Sequence, residues 1–280
     1  MNVTIITINL NNVTGLERTL DSVARISSEA FEHIVIDGQS TDGSVELLKN
    51  YSQHSVNWIS ESDSGIYEAM NKGIRMASGG YLLFLNSGDT LLSRNIIENF
   101  EDYFRTKADI FYGDLIYRSD TFEKPFEYPV KLSFQFVYEY SLPHPGSFIK
   151  RDLFDQLGYY NEKNKYVSDW EFFMNALFLR GVTYKHLNEI ISVFHLDGFS
   201  NDPKIKKKMA EERAEVMNRL FPNLVEDLTK LIADSTLLET NRFKILKELE
   251  ASGVAKKLNS VWLRLLLRLF KGKSIRQLNK

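Results

Sequence analysis

The sequence predicts an α/β protein: a mostly parallel central sheet, flanking helices and a C-terminal helical extension. Three observations predict it. Short apolar, β-branched runs alternate with amphipathic helical stripes through the first 85 residues. Such alternation with short connections gives parallel strands joined by right-handed crossovers. Tyr81-Leu82-Leu83-Phe84-Leu85 is apolar or aromatic throughout, the pattern of a central strand buried on both faces. That run, like three before it, ends in small or oxygen-bearing residues, here Asn86, Ser87, Gly88 and Asp89.

In chain order, Val3–Ile8 is the first strand and runs into Asn9, Asn11 and Asn12. Thr14-Gly15-Leu16-Glu17 has the spacing of a capping box, and Leu16, Leu20, Val23 and Ala24 form the apolar stripe of a helix. His33–Ile36 is the second strand, ending at Asp37 and followed by the turn-rich Gly38-Gln39-Ser40-Thr41-Asp42-Gly43. Val45, Leu47, Leu48 and Tyr51 mark a second helix, and Val56–Ile59 a third strand entering Glu61-Ser62-Asp63-Ser64-Gly65. Ile66, Met70 and Ile74, four residues apart, mark a helix over Ile66–Ala77 before the Tyr81 strand. In a parallel sheet Asn9, Asp37, Asp63 and Asp89 must then share one edge, where ligands of open α/β sheets bind. Carboxylates gathered there repel unless a cation or polar ligand separates them.

The second half is less regular. Residues 93–105 are expected to be helical and Ile110–Tyr112 a strand. Phe122–Tyr140 alternates aromatic and polar residues, so Phe134, Phe136, Tyr138 and Tyr140 are expected on a half-buried strand, with sugar stacking as a second use for the rings. Ser141–Gly146 is a loop, Asp155–Gly158 closes a short helix, and Ser168-Asp169-Trp170-Glu171 opens an apolar helix through Leu179. From about Pro203 the chain turns to charged helical segments. The expected division is one domain over 1–200 and an extension over 201–280.

The 280 residues are 43% apolar and 26% charged, ordinary for a folded globular chain. With no cysteine there is no disulfide, thiolate zinc site or thiol nucleophile. No signal peptide is expected from Met1-Asn2-Val3-Thr4, and no stretch reaches the roughly 18 apolar residues that span a bilayer. The expected location is cytoplasmic. The net charge of −2 is uneven: residues 255–280 carry eight cations and no acid, so the rest holds −10. An acidic body argues against nucleic-acid binding. In the tail Leu258, Val261, Trp262, Leu265, Leu266 and Leu269 recur at helical steps with cations between them, a pattern suited to an anionic membrane surface or to packing on the body.

Two nucleotide-binding patterns are missing. The loop from Asn9 to Thr14 has no glycine, so no dinucleotide fingerprint follows the first strand, and Gly272-Lys273-Ser274 lacks the upstream glycine of a P-loop. An acidic strand edge suits a nucleotide held through a hard divalent cation. Thr7-Ile8-Asn9, Val35-Ile36-Asp37-Gly38 with Ser40, Asp42 and Gly43, Glu61 and Asp63 with Gly65-Ile66-Tyr67 and Ala69-Met70-Asn71-Lys72-Gly73-Ile74, and Leu85-Asn86-Ser87-Gly88-Asp89 follow in order. Together they resemble the family 2 inverting glycosyltransferases of the GT-A fold, especially bacterial members that build capsular, O-antigen and colanic-acid-like polysaccharides. The likeness covers about residues 1–200.

The resemblance implies a nucleotide-diphospho-sugar transferase, with a donor half over 1–105 and an acceptor half over 106–200. Thr7, Asn9, Asp37, Asp63, Asn71 and Asn86 would line the donor, expected to be a UDP-sugar. Asp89 would ligate Mn²⁺ or Mg²⁺; many relatives have two acids there, whereas this chain has Gly88 before Asp89. His195, ahead of Leu196-Asp197-Gly198-Phe199-Ser200, would ligate the metal or donate to phosphate. Asp169 would be the base that takes the acceptor hydroxyl's proton, although an acid there also suits an ordinary helix start. His144, in Pro143-His144-Pro145-Gly146, and Trp170 would lie on the acceptor side, facing a glycan or polyprenyl-diphosphate-linked acceptor. Two other readings are a sugar-phosphate nucleotidyltransferase, against which the missing glycine-rich first loop counts, and a non-catalytic nucleotide-sugar-binding protein.

Overall fold

The computed structural model describes residues 2–26, 31–196, 203–222, 225, 227, 230–231, 234 and 238–271. The chain divides into two compact units, Met1–Leu220 and Phe221–Lys280. The first unit is organised by a nine-stranded sheet. Strands β1 (Val3–Asn9), β2 (Phe31–Asp37), β3 (Asn57–Ser60) and β4 (Tyr81–Phe84) alternate with helices α1 (Val13–Val23), α2 (Ser44–Asn50) and α3 (Ile66–Met76). They pair in parallel in the order β3-β2-β1-β4. All seven residues of β1 are buried, as a central strand covered by helices on both faces requires.

Beyond β4 the sheet is mixed. Strand β5 (Thr90–Leu91) is followed by short helices α4 (Arg94–Glu98) and α5 (Phe100–Tyr103), then by strands β6 (Ile110–Arg118) and β7 (Glu123–Phe126). Helix α6 (Phe134–Tyr140) precedes strand β8 (Ser147–Lys150), which pairs antiparallel with β4 and β6. Helix α7 (Asp152–Leu157), helix α8 (Ser168–Met174) with a π-helical continuation over Asn175–Leu179, strand β9 (Tyr184–His195) and helix α9 (Pro203–Leu220) complete the unit. The core gathers Val3, Ile5, Leu83, Leu85, Phe111 and Phe148 with Ile96, Ile97 and Ile191, while Leu16 and Leu20 of α1 pack with Val35 and Leu48.

The structure departs from the expected strand at residues 134–140. Ser133 caps a helix there, its hydroxyl accepting from the Phe136 N–H at 3.1 Å. Aromatics at every second position also stand four apart, so Phe136 and Tyr140 stack at 5.3 Å along one helix face. Period two and period four were indistinguishable until the cap decided between them. Strand β9, which no alternation announced, is interrupted by a bulge against β6 and by Asn188 at φ +54°.

The second unit contains helices α10 (Asn241–Ala251), capped by Thr240, and α11 (Gly253–Lys271). α11 has no acid and exposes Leu258, Val261, Trp262 and Leu265. The sequence-predicted loop at 197–200 and the tail's last residues, 272–280, lie outside the described residues. No helix among the described residues is long and apolar enough to cross a membrane.

Candidate active site

The parallel register brings the strand ends level. Asn9 lies opposite Asp37, and Asp37 opposite Ser60. Asp37 is fully buried, and its carboxylate accepts from Asn9 Nδ2 (2.8 Å), Ser40 Oγ (2.6 Å), the Ser40 N–H (2.9 Å) and Ser60 Oγ (2.6 Å). Burial alone would raise this carboxyl; the hydrogen bonds from Ser40, Ser60 and Asn9 outweigh it and hold Asp37 below the usual range. Asn9 keeps its Oδ1 buried without a hydrogen-bond partner. Asp63 leans on the same edge: a Cβ at Gly38 would stand 2.9 Å from its Oδ2, so the two loops pack closely there. Burial pushes the Asp63 carboxyl up, with the Gly65 N–H and Lys72 opposing.

Two residues expected at the donor face elsewhere. Thr7 is fully buried and its hydroxyl sits 2.9 Å from His33 Nε2 inside the sheet. Asn71 spends its amide on Tyr160 and Glu162: Nδ2 donates to the Tyr160 carbonyl (2.9 Å) and Glu162 Oε1 (2.8 Å), while Oδ1 accepts from the Tyr160 N–H (3.0 Å). It fastens α3 to the loop ahead of α8.

The Asn86–Asp89 turn wraps the start of α1. Asn12 caps α1 by accepting from the Gly15 N–H and donates from Nδ2 to the Ser87 carbonyl at 3.1 Å. The Gly88 N–H points at Thr19 Oγ1 (3.0 Å) and the Gly15 carbonyl (3.1 Å), and its φ of +110° requires glycine. An acidic side chain at this position would strain the turn. Asp89 follows, buried at the strand edge, and Asn86 Oδ1 is buried nearby in sequence with no hydrogen-bond partner. A carboxylate and an unpaired amide oxygen are hard oxygen donors, the type that suits Mn²⁺ or Mg²⁺. Among the described residues no three His, Cys, Asp or Glu side chains converge on one point. An ion held at Asp89 would therefore draw its remaining ligands from the substrate's phosphates and water, as Mg²⁺ commonly does.

Strand β5 pairs with β9 beside this turn, Thr90 lying opposite Val193. His195 comes to the same place: its Nε2 is 3.5 Å from Thr90 Oγ1, and its Nδ1 is 3.1 Å from Arg18 Nη1. A guanidinium only donates, so Nδ1 accepts and the neutral ring carries its proton on Nε2. In that tautomer His195 is a hydrogen-bond donor. Arg18, which no sequence motif singles out, adds a cation at this edge.

Asp169 stands at the second position of α8. Its Oδ1 accepts from Tyr67 Oη at 2.7 Å, and Tyr67 opens α3 just after the Asp63 loop, so the carboxylate is tied to the same sheet edge. Its Oδ2 is 4.0 Å from His144 Nδ1. His144 is stacked on Phe84, the last residue of β4, and its Nε2 meets Tyr160 Oη at 2.8 Å. Burial lowers His144, with the Asp169 charge opposing, so the imidazole is neutral at pH 7. Burial and then Asp169 push the Tyr67 phenol well up, leaving it a proton donor to the carboxylate. Trp170 is buried, its Nε1 donating to the Val137 carbonyl at 2.8 Å, and the Arg213 guanidinium lies over its ring at 4.9 Å. Burial pulls Arg213 down, and the Asp169 charge opposes it.

A mixed sheet whose parallel strand ends lead to Asn9, Asp37 and Asp63, with flanking helices and Asp169 tied to the same edge, is the architecture of the GT-A glycosyltransferase fold. The comparisons agree. The sequence model described as glycosyl transferase family 2 matches residues 4–163, and the chain belongs to that family. A PGL/p-HBAD biosynthesis glycosyltransferase of Mycobacterium bovis is 26% identical over 240 residues, covering 82% of this chain and 92% of its own. An uncharacterized glycosyltransferase of Mycobacterium tuberculosis is 33% identical over 180 residues, covering 62% of this chain and 68% of its own. Among solved structures, S. aureus TarS in complex with UDP superposes with a TM-score of 0.61 at 17% identity, over 78% of this chain and 66% of that one. A Pyrobaculum calidifontis mannosyltransferase in complex with GDP-Man and Mn²⁺ gives 0.59 at 16% identity, over 97% and 81%. At those identities the structures establish the fold.

Proposed function

We propose that this glycosyltransferase moves a sugar from a nucleoside-diphosphate donor, a UDP-sugar, to a hydroxyl of a glycan or polyprenyl-diphosphate-linked acceptor, with inversion, in bacterial surface polysaccharide synthesis. The observation that carries it is the position of Asp169, tied by Tyr67 to the edge that holds Asp37 and Asp63. Asn9, hydrogen-bonded to Asp37, would lie beside the base, and Asp63 would meet base or ribose. Thr7 and Asn71 serve that pocket from behind, Thr7 within the sheet and Asn71 through the 160 loop. Arg18 and the Nε2–H of His195 donate to the diphosphate, with Asp89 and Asn86 as the oxygen ligands for a divalent ion. Bound Mn²⁺ or Mg²⁺ would supply Lewis-acid stabilisation of the leaving diphosphate.

On the acceptor side Asp169 takes the proton of the attacking hydroxyl, which forms its bond to the anomeric carbon as the diphosphate leaves from the opposite face. The Tyr67 hydrogen bond occupies Oδ1 and leaves Oδ2, on the His144 side, for that proton. A single carboxylate suffices for direct displacement with inversion, and likeness to a PGL/p-HBAD biosynthesis glycosyltransferase supports a biosynthetic acceptor. The deciding experiment compares wild type with Asp169→Asn using purified donor and acceptor: transfer should fall about a thousandfold, the range of a lost general base, while UDP still binds. Unchanged transfer would remove Asp169 from the chemistry. The apolar, cation-rich α11 is read as a contact with anionic lipid. Deleting residues 255–280 should abolish low-salt co-sedimentation with anionic liposomes, and equal sedimentation of both forms would make the tail a packing element.

A further inference from the structure

Helix α9 lies beyond the residues matched by the family model, yet it grips the segment that carries Asp169 at three places. Helix α8 follows Val167, whose side chain cannot accept a capping hydrogen bond. The three residues that lead into it are held instead from α9. Glu212 Oε1 takes the Lys165 N–H at 2.7 Å, and Oε2 takes the N–H groups of Tyr166 at 2.8 Å and Val167 at 3.0 Å. Three consecutive backbone donors are thus fixed by one carboxylate from 45 to 47 residues away. Its negative charge also lies at the positive end of α8.

Arg213 fixes the other flank. Its guanidinium covers the Trp170 ring at 4.9 Å, and Nη1 donates to the carbonyls of Tyr138 (3.1 Å) and Glu139 (3.0 Å) in the last turn of α6. Trp170 in turn donates to Val137 of that turn. Seven residues along α9 from Glu212, two helical turns and so on the same face, Arg219 Nη2 meets Glu171 Oε1 at 2.8 Å. Asp169 therefore sits between a backbone segment anchored by Glu212 and a ring anchored by Arg213.

We propose that Glu212 and Arg213 are positioning residues for Asp169, and that α9 is the brace that aims the base at the acceptor hydroxyl. The inference rests on the reading of Asp169 as the base. Misplacing a reacting group by about 1 Å costs on the order of a hundredfold in rate, so a brace acts on kcat and spares donor binding. Glu212→Gln turns one accepting oxygen into an amide that faces N–H donors, and Arg213→Lys keeps the charge but loses the planar stack and the forked donation.

The test uses the full chain and both variants. Each should lower kcat about tenfold or more while donor KM stays within twofold and melting shows a folded protein. A readout independent of transfer accompanies it: the carboxyl titration of Asp169, followed by NMR on ¹³C-labelled aspartate. Its midpoint should move in both variants, while that of Asp37 stays in place. Should wild type transfer no sugar, the functional reading fails, and the Asp169 titration alone decides the brace. If Glu212→Gln does not fold, Arg213→Lys carries both measurements. Unmoved kcat and an unmoved Asp169 midpoint in a folded variant overturn the proposal, as does a fall in kcat that only tracks the folded fraction.

Discussion

Asp37 and Asp169 are both carboxylates at the same sheet edge, and their surroundings are opposite. Asp37 has each oxygen filled by two donors, all from the ends of β1, β2 and β3. Asp169 accepts one hydrogen bond, from Tyr67, and keeps its second oxygen 4.0 Å from a neutral imidazole. A saturated carboxylate has no lone pair left for a proton and works by fixing the loops around it. An unsaturated one can accept. The same side chain thus braces the strand ends in one place and, on the proposed reading, is free to do chemistry in the other.

Replacing each by asparagine sharpens the contrast. Asp169→Asn should produce the largest effect, a loss of about a thousandfold in transfer, with stability almost unchanged because the amide oxygen still accepts from Tyr67. Asp89→Ala comes next. Wild type should gain thermal stability from UDP with Mn²⁺, about 2.7 kcal/mol at a hundred times the dissociation constant, and the variant should lose the metal-dependent part. Equal stabilisation of both would take Asp89 out of the ion's coordination. Asp37→Asn places an amide against Asn9 Nδ2 or the Ser40 N–H, whichever way it turns, so one buried donor loses its acceptor. That costs roughly 1–3 kcal/mol, read as a lower urea midpoint. A midpoint equal to wild type would mean that the four hydrogen bonds do not hold the loops.

The cluster at the strand ends was legible because its parts follow apolar runs. An apolar run that stops at Asn9, Asp37 or Asp89 announces both the strand and the place where its side chain emerges, and parallel pairing then aligns the ends without further information. The family likeness over the same stretch holds for this reason. Around Asp169 the partners come from far along the chain: Tyr67 is 102 residues away, and Glu212 reaches the preceding segment from α9. Nothing local to Ser168-Asp169-Trp170 indicates them, and Val167 gives no sign that its N–H will be capped from elsewhere. Arg18 was equally silent, one cation on an amphipathic helix until β9 delivers His195 to it. The aromatic run before Tyr140 misled because spacing by two contains spacing by four.

The smallest expected effect concerns the far side of the donor edge, where Thr7 leads away from the site. Thr7 Oγ1, His33 Nε2, His33 Nδ1 and His54 Nε2 form a chain with steps of 2.9 Å each, the two imidazoles stacked at 5.2 Å and Tyr51 Oη 3.2 Å from His54 Nδ1. Burial, and then the neighbouring His54, lower His33 from 6.5 to about 3. The folded protein thus refuses a proton that the unfolded chain accepts below pH 6.5. The contribution of a neutral His33 is full above that pH and is lost as pH falls from 6.5 towards 3. Ordinary carboxylates begin to titrate only below about pH 5, so the window from 6.5 to 5 isolates the histidines. There wild type should lose roughly 1–2 kcal/mol on account of His33, and His33→Gln, which can still bond Thr7, should show a correspondingly flatter urea-midpoint profile. Parallel profiles for the two proteins would mean that His33 takes up its proton in the folded state and that the histidine stack is open to solvent.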